Sequence, residues 1–522
     1  MTKLTDLQYL KLTKLQRLWY NLTLFFFGIP GFFVKLGLGI VNFFKKIGLS
    51  VKDFFVDIAT TFAKGNWAVK LSFFIFGMGN LYYGQVMRGL FFLLFEVIFI
   101  TYMVLPSGGI YWLQKGQWFQ KDATVGTVQG GNYYDPVFDT DVWQAGDDSV
   151  KVMLYGLLTI IFIIAFIYTW RLQVKQCRIC MDITAQGKKI KSGKDDMRSL
   201  VDDEFHKTLL ALPILGICAF TVLPIIFMVL VAFTSYDAAH DGYSNLFSWV
   251  GLNNFNKLLD FGTGGLGLAF GEILSWTLMW AFFATFTNYF LGMFVAILIN
   301  KKGIKLKKFW RTVLVMTIAI PQFVSLLYVS KLFDDSGIIG KFLLETGLFP
   351  QALLDMRINS FWDHATSARI LLIIVNIWIG IPYIMLMATG ILMNIPADLY
   401  ESSRVDGANA FQQYTRITLP YMLFVTGPYL LTSFVNNLNN FNVIYLLTLG
   451  NPLNTEIGTA GGASIGSTDL LITWLFKMTL GSSQSEYYSA SIIGILIFVV
   501  VAFLSLIVYN VIPSTKNEED FK

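Results

Sequence analysis

Five asparagines crowd into seven residues, Asn436, Asn437, Asn439, Asn440 and Asn442, inside an otherwise apolar stretch. A carboxamide both donates and accepts, and one left unpaired in hydrocarbon is costly, so these side chains must face protein, water or a ligand. Asn437 and Asn440, at i and i+3, share a helix face. On a second apolar segment Asn376, Gly380 and Tyr383 align in the same way with Trp378 close by, and on a third Gln322 follows Pro321. Counting a helical rise of 1.5 Å per residue from the segment ends puts Gln322, Asn376 and Asn437 in one layer, about 18–25 Å above the inner face of the hydrocarbon. Amides with aromatic faces beside them suit the hydroxyls and the apolar face of a pyranose. Hydrogen bonding between helices is the plainer use of the same residues. Paired charges are missing from this layer, which argues against amino acids, ions or phosphate as its ligand.

Other chemistry is poorly served. Acid, base, nucleophile and metal ligands form no constellation along the chain, so an enzyme is not expected. Cys177 and Cys180 make a lone CxxC beside Arg178 without the second pair a zinc site needs. His206, His240 and His364 are scattered. The run "KSGKDD" (191–196) lacks the upstream glycine and following Ser or Thr of a phosphate-binding loop. Glu96, two turns into an apolar segment, has no second buried carboxylate to relay protons and is expected to pair with a neighbouring helix.

The elements that must hold the amides are membrane helices. Of 522 residues 55% are hydrophobic and only 14% charged, too few charges to cover a soluble protein of this length. Eight long apolar segments, near 89–105, 151–171, 208–234, 272–299, 309–332, 368–393, 421–446 and 488–512, approach or exceed the ~20 residues that cross a bilayer. The connectors after the second and fourth are rich in Lys and Arg, which the positive-inside rule assigns to the cytoplasm, and the aspartate-rich 106–150 falls outside. Both termini, including the tail 514–522, are then cytoplasmic, with 450–487 outside. No cleavable signal peptide is expected. Residues 1–88 read as a basic, amphipathic cytoplasmic or interfacial region: 39–62 has Phe and Lys at helical spacing, and 70–89 is broken by Gly, Asn and Gln, as in a re-entrant segment. If 18–34 and 70–86 both cross, the later topology is unchanged. The stretch "GSTDLLITWLFKMTL" (466–480) alternates like a surface helix.

Between the sixth and seventh segments lies "LYESSRVDGANAFQQYTRITLPYM" (399–422), too polar for lipid. Its pattern predicts a short helix over 397–405 with Leu399, Ser402, Ser403 and Val405 available for packing. A break at Asp406-Gly407 follows, then a second short helix with Phe411, Tyr414 and Ile417 near one face, and Pro420 starts the next span. The spacing of Glu401, Ser402, Ser403, Gly407, Ile417, Leu419 and Pro420 resembles the EAA loop of ABC-importer permeases, with two serines in place of two alanines. Residues 368–408 and 433–452 extend the likeness to the MalF-type permeases of maltose and maltodextrin importers, over about 205–515.

The resemblance implies an all-α, polytopic bundle of about eight spans with a type I importer (MetI-like) core over 208–513 and its coupling loop at 396–420. The first two spans, over 89–207, stand in front of that core. It implies a transport subunit that carries sugar by alternating access, without hydrolysing ATP or holding a cofactor itself. ATP and Mg would be used by two MalK-type ATPase subunits, beside a MalG-type second permease and an extracellular solute-binding protein. Nucleic acid has no part in such an assembly. In the family, positions matching Asn376, Gly380, Tyr383, Asn437 and Asn440 contact maltose, to which the depth argument adds Gln322. Glu401, Ser402, Ser403, Asp406, Gly407, Phe411, Ile417 and Pro420 would dock on the ATPase. The chain departs from relatives at Ile318 and Asn436. An ion-coupled secondary sugar transporter is the alternative; it would need ionisable groups in the midplane layer.

Overall fold

The computed structural model describes residues 54–116, 131–190 and 205–511, apart from short internal gaps, together with a few isolated residues before 54 and near 200. Residues 18–34, most of 39–53, the run 191–196 and the tail 514–522 lie outside the described residues. Among the described residues seven helices are long and apolar enough to span a bilayer: Val86–Val104, Ser149–Ala185, Thr208–Val231, Leu266–Asn300, Ala365–Leu392, Ala410–Thr448 and Tyr487–Leu506. A bent pair, Lys307–Ala319 with Gln322–Leu332, makes an eighth. All eight apolar segments read from the sequence are therefore helical, and they are numbered here as first to eighth span in chain order.

The described chain divides into two compact units, Met1–Tyr111 with Leu158–Ile214 and Trp112–Leu157 with Leu215–Lys522. In the first unit, a helix over 54–64 leads into two short helices, Trp67–Leu71 and Met78–Tyr82, before the first span. The chain between and after these short helices is irregular, and its backbone groups are met by side chains. Glu96 accepts the Phe76 N–H at 2.8 Å, Gly77 N–H donates to Gln173 Oε1 at 3.2 Å, and Gln173 Nε2 donates to the Ser72 carbonyl. Glu96 thus pairs with a backbone N–H of the non-helical stretch rather than with another charge. Cys177 and Cys180 are buried thiols beside Ser72, Asn80 and Gln85. Asp57 pairs with Arg171 at 2.6 Å and also with Arg178.

In the second unit the fourth and sixth spans pack along each other. Trp276, Trp280 and Ala284 meet Ala368, Leu372 and Val375 at one end, and Tyr289, Met293 and Ala296 meet Met385 and Ala388 at the other. Lipid is as apolar as these side chains, so close packing and hydrogen bonds, rather than transfer from water, hold such helices together. Gly380 and Gly292 mark close approaches of these spans, since a Cβ would overlap Asn288 at the first and Ile384 at the second.

Three details differ from the sequence reading. The fifth span is not straight: its halves meet at 92°. Ile320 is extended there and Pro321, lacking an N–H, cannot continue the ladder. The depth reckoned for Gln322 along one straight helix therefore fails. Pro420 does not start the seventh span, because a π turn at Tyr414–Thr418 joins the second short helix to Leu419–Leu438 without a break. That wider turn accommodates the missing proline N–H. Finally, Leu471–Leu480 is a core helix: Leu471, Trp474 and Met478 are buried among Leu266, Ile273 and Ile493. Its partners are distant in sequence, and the local alternation does not show them.

Candidate functional site

The residues singled out by sequence fall into three places within the second unit. At the first, the bend of the fifth span opens a cavity of about 320 Å³ lined by Thr317, Ile318, Ile320, Gln322, Trp378 and Tyr383, among others. Pro321 turns the chain, Gln322 begins the second half-helix, and Tyr383 presents an exposed ring from the sixth span. An amide, two aromatic rings and an apolar wall converge here, the combination that grips a polyol with one apolar face.

The second place is polar, with Thr285, Asn288 and Asn376 buried and Asn437 and Asn440 half-buried. Asn437 donates to Thr285 Oγ1 at 3.0 Å, and Asn440 Nδ2 donates to Asn437 Oδ1 at 3.3 Å. The seventh span breaks at Asn439–Asn440, where Asn440 Oδ1 caps the helix Phe441–Thr448 by accepting the Val443 N–H at 3.3 Å. The asparagine run thus disrupts a helix and then repairs its end. Asn376 is buried with no partner for Nδ2, and the Asn288 carbonyl oxygen is likewise buried and unpaired. Each such atom costs ~1–3 kcal/mol unless something supplies its hydrogen bond. Asn436, Asn439 and Asn442 are exposed. Gln322 and Tyr383 therefore line the cavity, whereas Asn437 and Asn440 bond to each other and to the fourth span. Gly380 lies against Asn288. Sequence reasoning missed Thr285 and Asn288, although an Asn inside the apolar fourth span deserved the rule applied to Asn376.

The loop 449–486 is fastened over the fourth and sixth spans by residues that sequence reasoning also passed over. Arg369 stacks on Trp276 at 4.6 Å and donates to the Ser467 carbonyl at 2.8 Å. Trp276 Nε1 donates to the Thr468 carbonyl at 3.2 Å, and Asn454 donates to Glu272 at 2.7 Å. Asp469, fully buried, pairs with Lys477 at 2.7 Å and accepts from Gly466 N–H and the Thr473 hydroxyl. Burial pushes the Asp469 carboxyl above its ordinary value, against the pull of Lys477 and these donors. Arg369 and Asp469 carried no local motif that would have exposed them.

The third place is the segment between the sixth and seventh spans. Ala397–Val405 is helical as its spacing predicts, and Gly407 ends it at φ +78°, a conformation other residues resist. Asn409 and Gln412 then form a reciprocal capping box at 2.8 and 2.9 Å. Gln413 Nε2 reaches back to Ser403 Oγ at 2.8 Å and to the Tyr400 carbonyl at 3.2 Å, and the Tyr400 and Thr418 hydroxyls bond at 2.8 Å. These ties make the two short helices one piece, continuous through the π turn with the seventh span. Ser403, Tyr414 and Ile417 are half-buried, while Glu401, Ser402, Asp406, Phe411 and Pro420 are exposed. Leu399 and Val405, read as available for packing, are exposed, Val405 at 89%.

The protein family described as binding-protein-dependent transport system inner membrane component matches residues 288–516. The chain is 30% identical to the maltodextrin transport system permease protein MalC of Streptococcus pneumoniae over 452 residues, 85% of this chain and 95% of that protein. It is 31% identical to the maltodextrin permease MdxF of Bacillus subtilis, over 72% of this chain and 84% of that one. The galactooligosaccharides permease GanP of Bacillus subtilis is 32% identical, over 71% and 85%.

Proposed function

The chain belongs to the binding-protein-dependent transport system inner membrane components, and from that premise we propose that it is the MalF-type permease subunit that imports malto-oligosaccharides. It is a multi-pass protein of the cytoplasmic membrane. In the proposed assembly it pairs with a second, MalG-type permease and with two MalK-type ATPase subunits, which use the ATP and Mg. An extracellular solute-binding protein delivers the sugar. Residues 208–513 form the permease core, 89–207 the two preceding spans and 1–88 an interfacial region, and both termini are cytoplasmic. The chain moves its cargo without altering it and is not itself an enzyme.

The observation that carries this reading is the knitted segment 397–420. A loop that served only to connect spans would have no use for a capping box, cross-ties and a π turn that fuse it to a membrane helix. Gln413, Ser403, Asn409 and Gln412 tie the segment to itself, while Glu401, Asp406, Leu399, Val405 and Phe411 are exposed, which is the build of a part that pushes against another protein. Closure of the ATPase pair would displace this handle with Glu401 and Asp406 at the contact. The seventh span would follow, shifting the cavity between outward and inward access. Gln322, Asn376, Gly380, Tyr383, Asn437 and Asn440 would hold the sugar, with the unpaired amide atoms of Asn376 and Asn288 taking up hydroxyls.

Uptake of labelled maltotriose in cells lacking this chain, restored by the plasmid-borne gene and competed with maltose, maltoheptaose and galacto-oligosaccharides, tests the cargo. Competition by the malto-series is expected. Competition by galacto-oligosaccharides alone would transfer the cargo to the class named for GanP.

A further inference from the structure

The loop between the first two spans holds an antiparallel hairpin, β1 Gly131–Asp135 and β2 Thr140–Gln144. Of residues 132–143 none is buried and only Asp135 is half-buried. Yet this hairpin carries Tyr134, Phe138 and Trp143 with their rings exposed. An isolated two-stranded hairpin is marginal in water, and large rings left open on one are poor for solubility unless they meet something.

Register sorts the side chains. Asn132 pairs with Trp143 and Tyr134 with Asp141, so these four alternate onto one face, with Tyr134 and Trp143 on the diagonal. Their rings are 62% and 58% exposed. The Tyr134 hydroxyl donates to Asp139 at 2.5 Å, which fixes the ring while leaving its faces open. Beside these residues runs a concavity of about 400 Å³ lined by Tyr133, Tyr134, Asp135, Pro136, Val142 and Trp143.

We propose that this face is a carbohydrate platform, which collects a neutral oligosaccharide at the outer surface of the protein. Tyr134 and Trp143 stack on the apolar faces of sugar rings, and Asn132 and Asp141 take their hydroxyls. Charge selects the occupant: Asp135, Asp139 and Asp141 lie among the rings, and the hairpin from 131 to 144 has no Lys or Arg. Carboxylates at this density repel an anionic polysaccharide and oppose burial of the rings in lipid headgroups, whereas an uncharged polyol gains acceptors from them. The inference rests on the outward topology and sugar cargo proposed above, and it adds a second contact for chains too long for the inner cavity alone.

The test uses the full-length protein in lipid nanodiscs, titrated with maltoheptaose, maltose and polygalacturonate by isothermal calorimetry. Wild type is expected to bind maltoheptaose more tightly than maltose and to ignore polygalacturonate. Tyr134→Ala/Trp143→Ala should weaken maltoheptaose at least tenfold, and Asn132→Ala/Asp141→Ala should weaken it less, with thermal unfolding unchanged in both. Asn376→Ala/Asn437→Ala, in the inner layer, should leave this binding in place while abolishing uptake. Normal uptake by that inner pair would count against the proposed function and leave the platform standing. No binding of maltoheptaose by wild type, binding unaffected by loss of the two rings, or rings that govern nanodisc insertion instead would each overturn the platform.

Discussion

In the segment 397–420 Gln413 bonds to Ser403 and Tyr400, and Asn409 to Gln412, within the segment itself, while Glu401, Asp406 and the apolar Leu399, Val405 and Phe411 are exposed. In the layer around Asn437 the distribution is reversed: the amides are enclosed by helices and bond across them, and two of their atoms are left unpaired. The first region is stiff by itself and unfinished on its surface. The second is finished on its surface and incomplete inside. A part that transmits force must keep its shape without its partner, whereas a part that receives a small polar ligand must hold back some of its own hydrogen-bonding capacity.

The largest expected effect comes from breaking the stiff part. Gly407→Pro demands φ near −65° where the chain has +78°, and Glu401→Lys reverses the charge at the contact. Either should cut uptake and sugar-stimulated ATPase activity of the reconstituted assembly to background, on the order of 100-fold, with membrane insertion intact by protease protection. Normal uptake by either variant would remove the contrast between the regions.

Next in size is the loop that roofs the fourth and sixth spans. Lys477→Met leaves Asp469 buried and unpaired, a loss of ~3–5 kcal/mol, which should appear as a lower thermal midpoint in detergent. Asp469→Asn/Lys477→Met should recover much of it, because both charges are gone while the amide oxygen still accepts from the buried donors of Gly466 or Thr473. A smaller penalty is expected at the close approach of the fourth and sixth spans, where Gly380→Ala drives a methyl into Asn288 and should cost ~1–3 kcal/mol by overpacking.

The smallest stability effect sharpens the comparison most. Asn437→Ala removes one interhelical hydrogen bond, worth ~0.6 and at most ~1.7 kcal/mol, so thermal unfolding should shift only slightly. If the layer binds sugar, the KM for uptake should nevertheless rise at least tenfold. A variant that loses stability and keeps its KM would make Asn437 a tie between helices and nothing more.

Legibility in the sequence follows the same division. The eight apolar segments could be read because a bilayer imposes length and composition on each helix separately. The handle could be read because the Asp406-Gly407 break and the two short helices on either side of it are neighbours in the chain. Asn376, Gly380 and Tyr383 were visible for the same reason, as one periodic face of one helix. Hidden instead were pairings across the fold: Asn437 with Thr285, Gly380 with Asn288, Arg369 with Trp276 and Ser467. The bend at Ile320–Pro321 stayed hidden for another reason. A proline in a membrane helix is compatible with a mild kink or a full turn, and packing decides which.

Proteoliposomes test the central claim most directly. The purified chain and its second permease, with binding protein and labelled maltotriose outside, should accumulate no sugar until the ATPase subunits and internal ATP are supplied. Uptake should then appear, and it should vanish again with Glu401→Lys. Accumulation against a gradient by the chain without any ATPase would contradict the account.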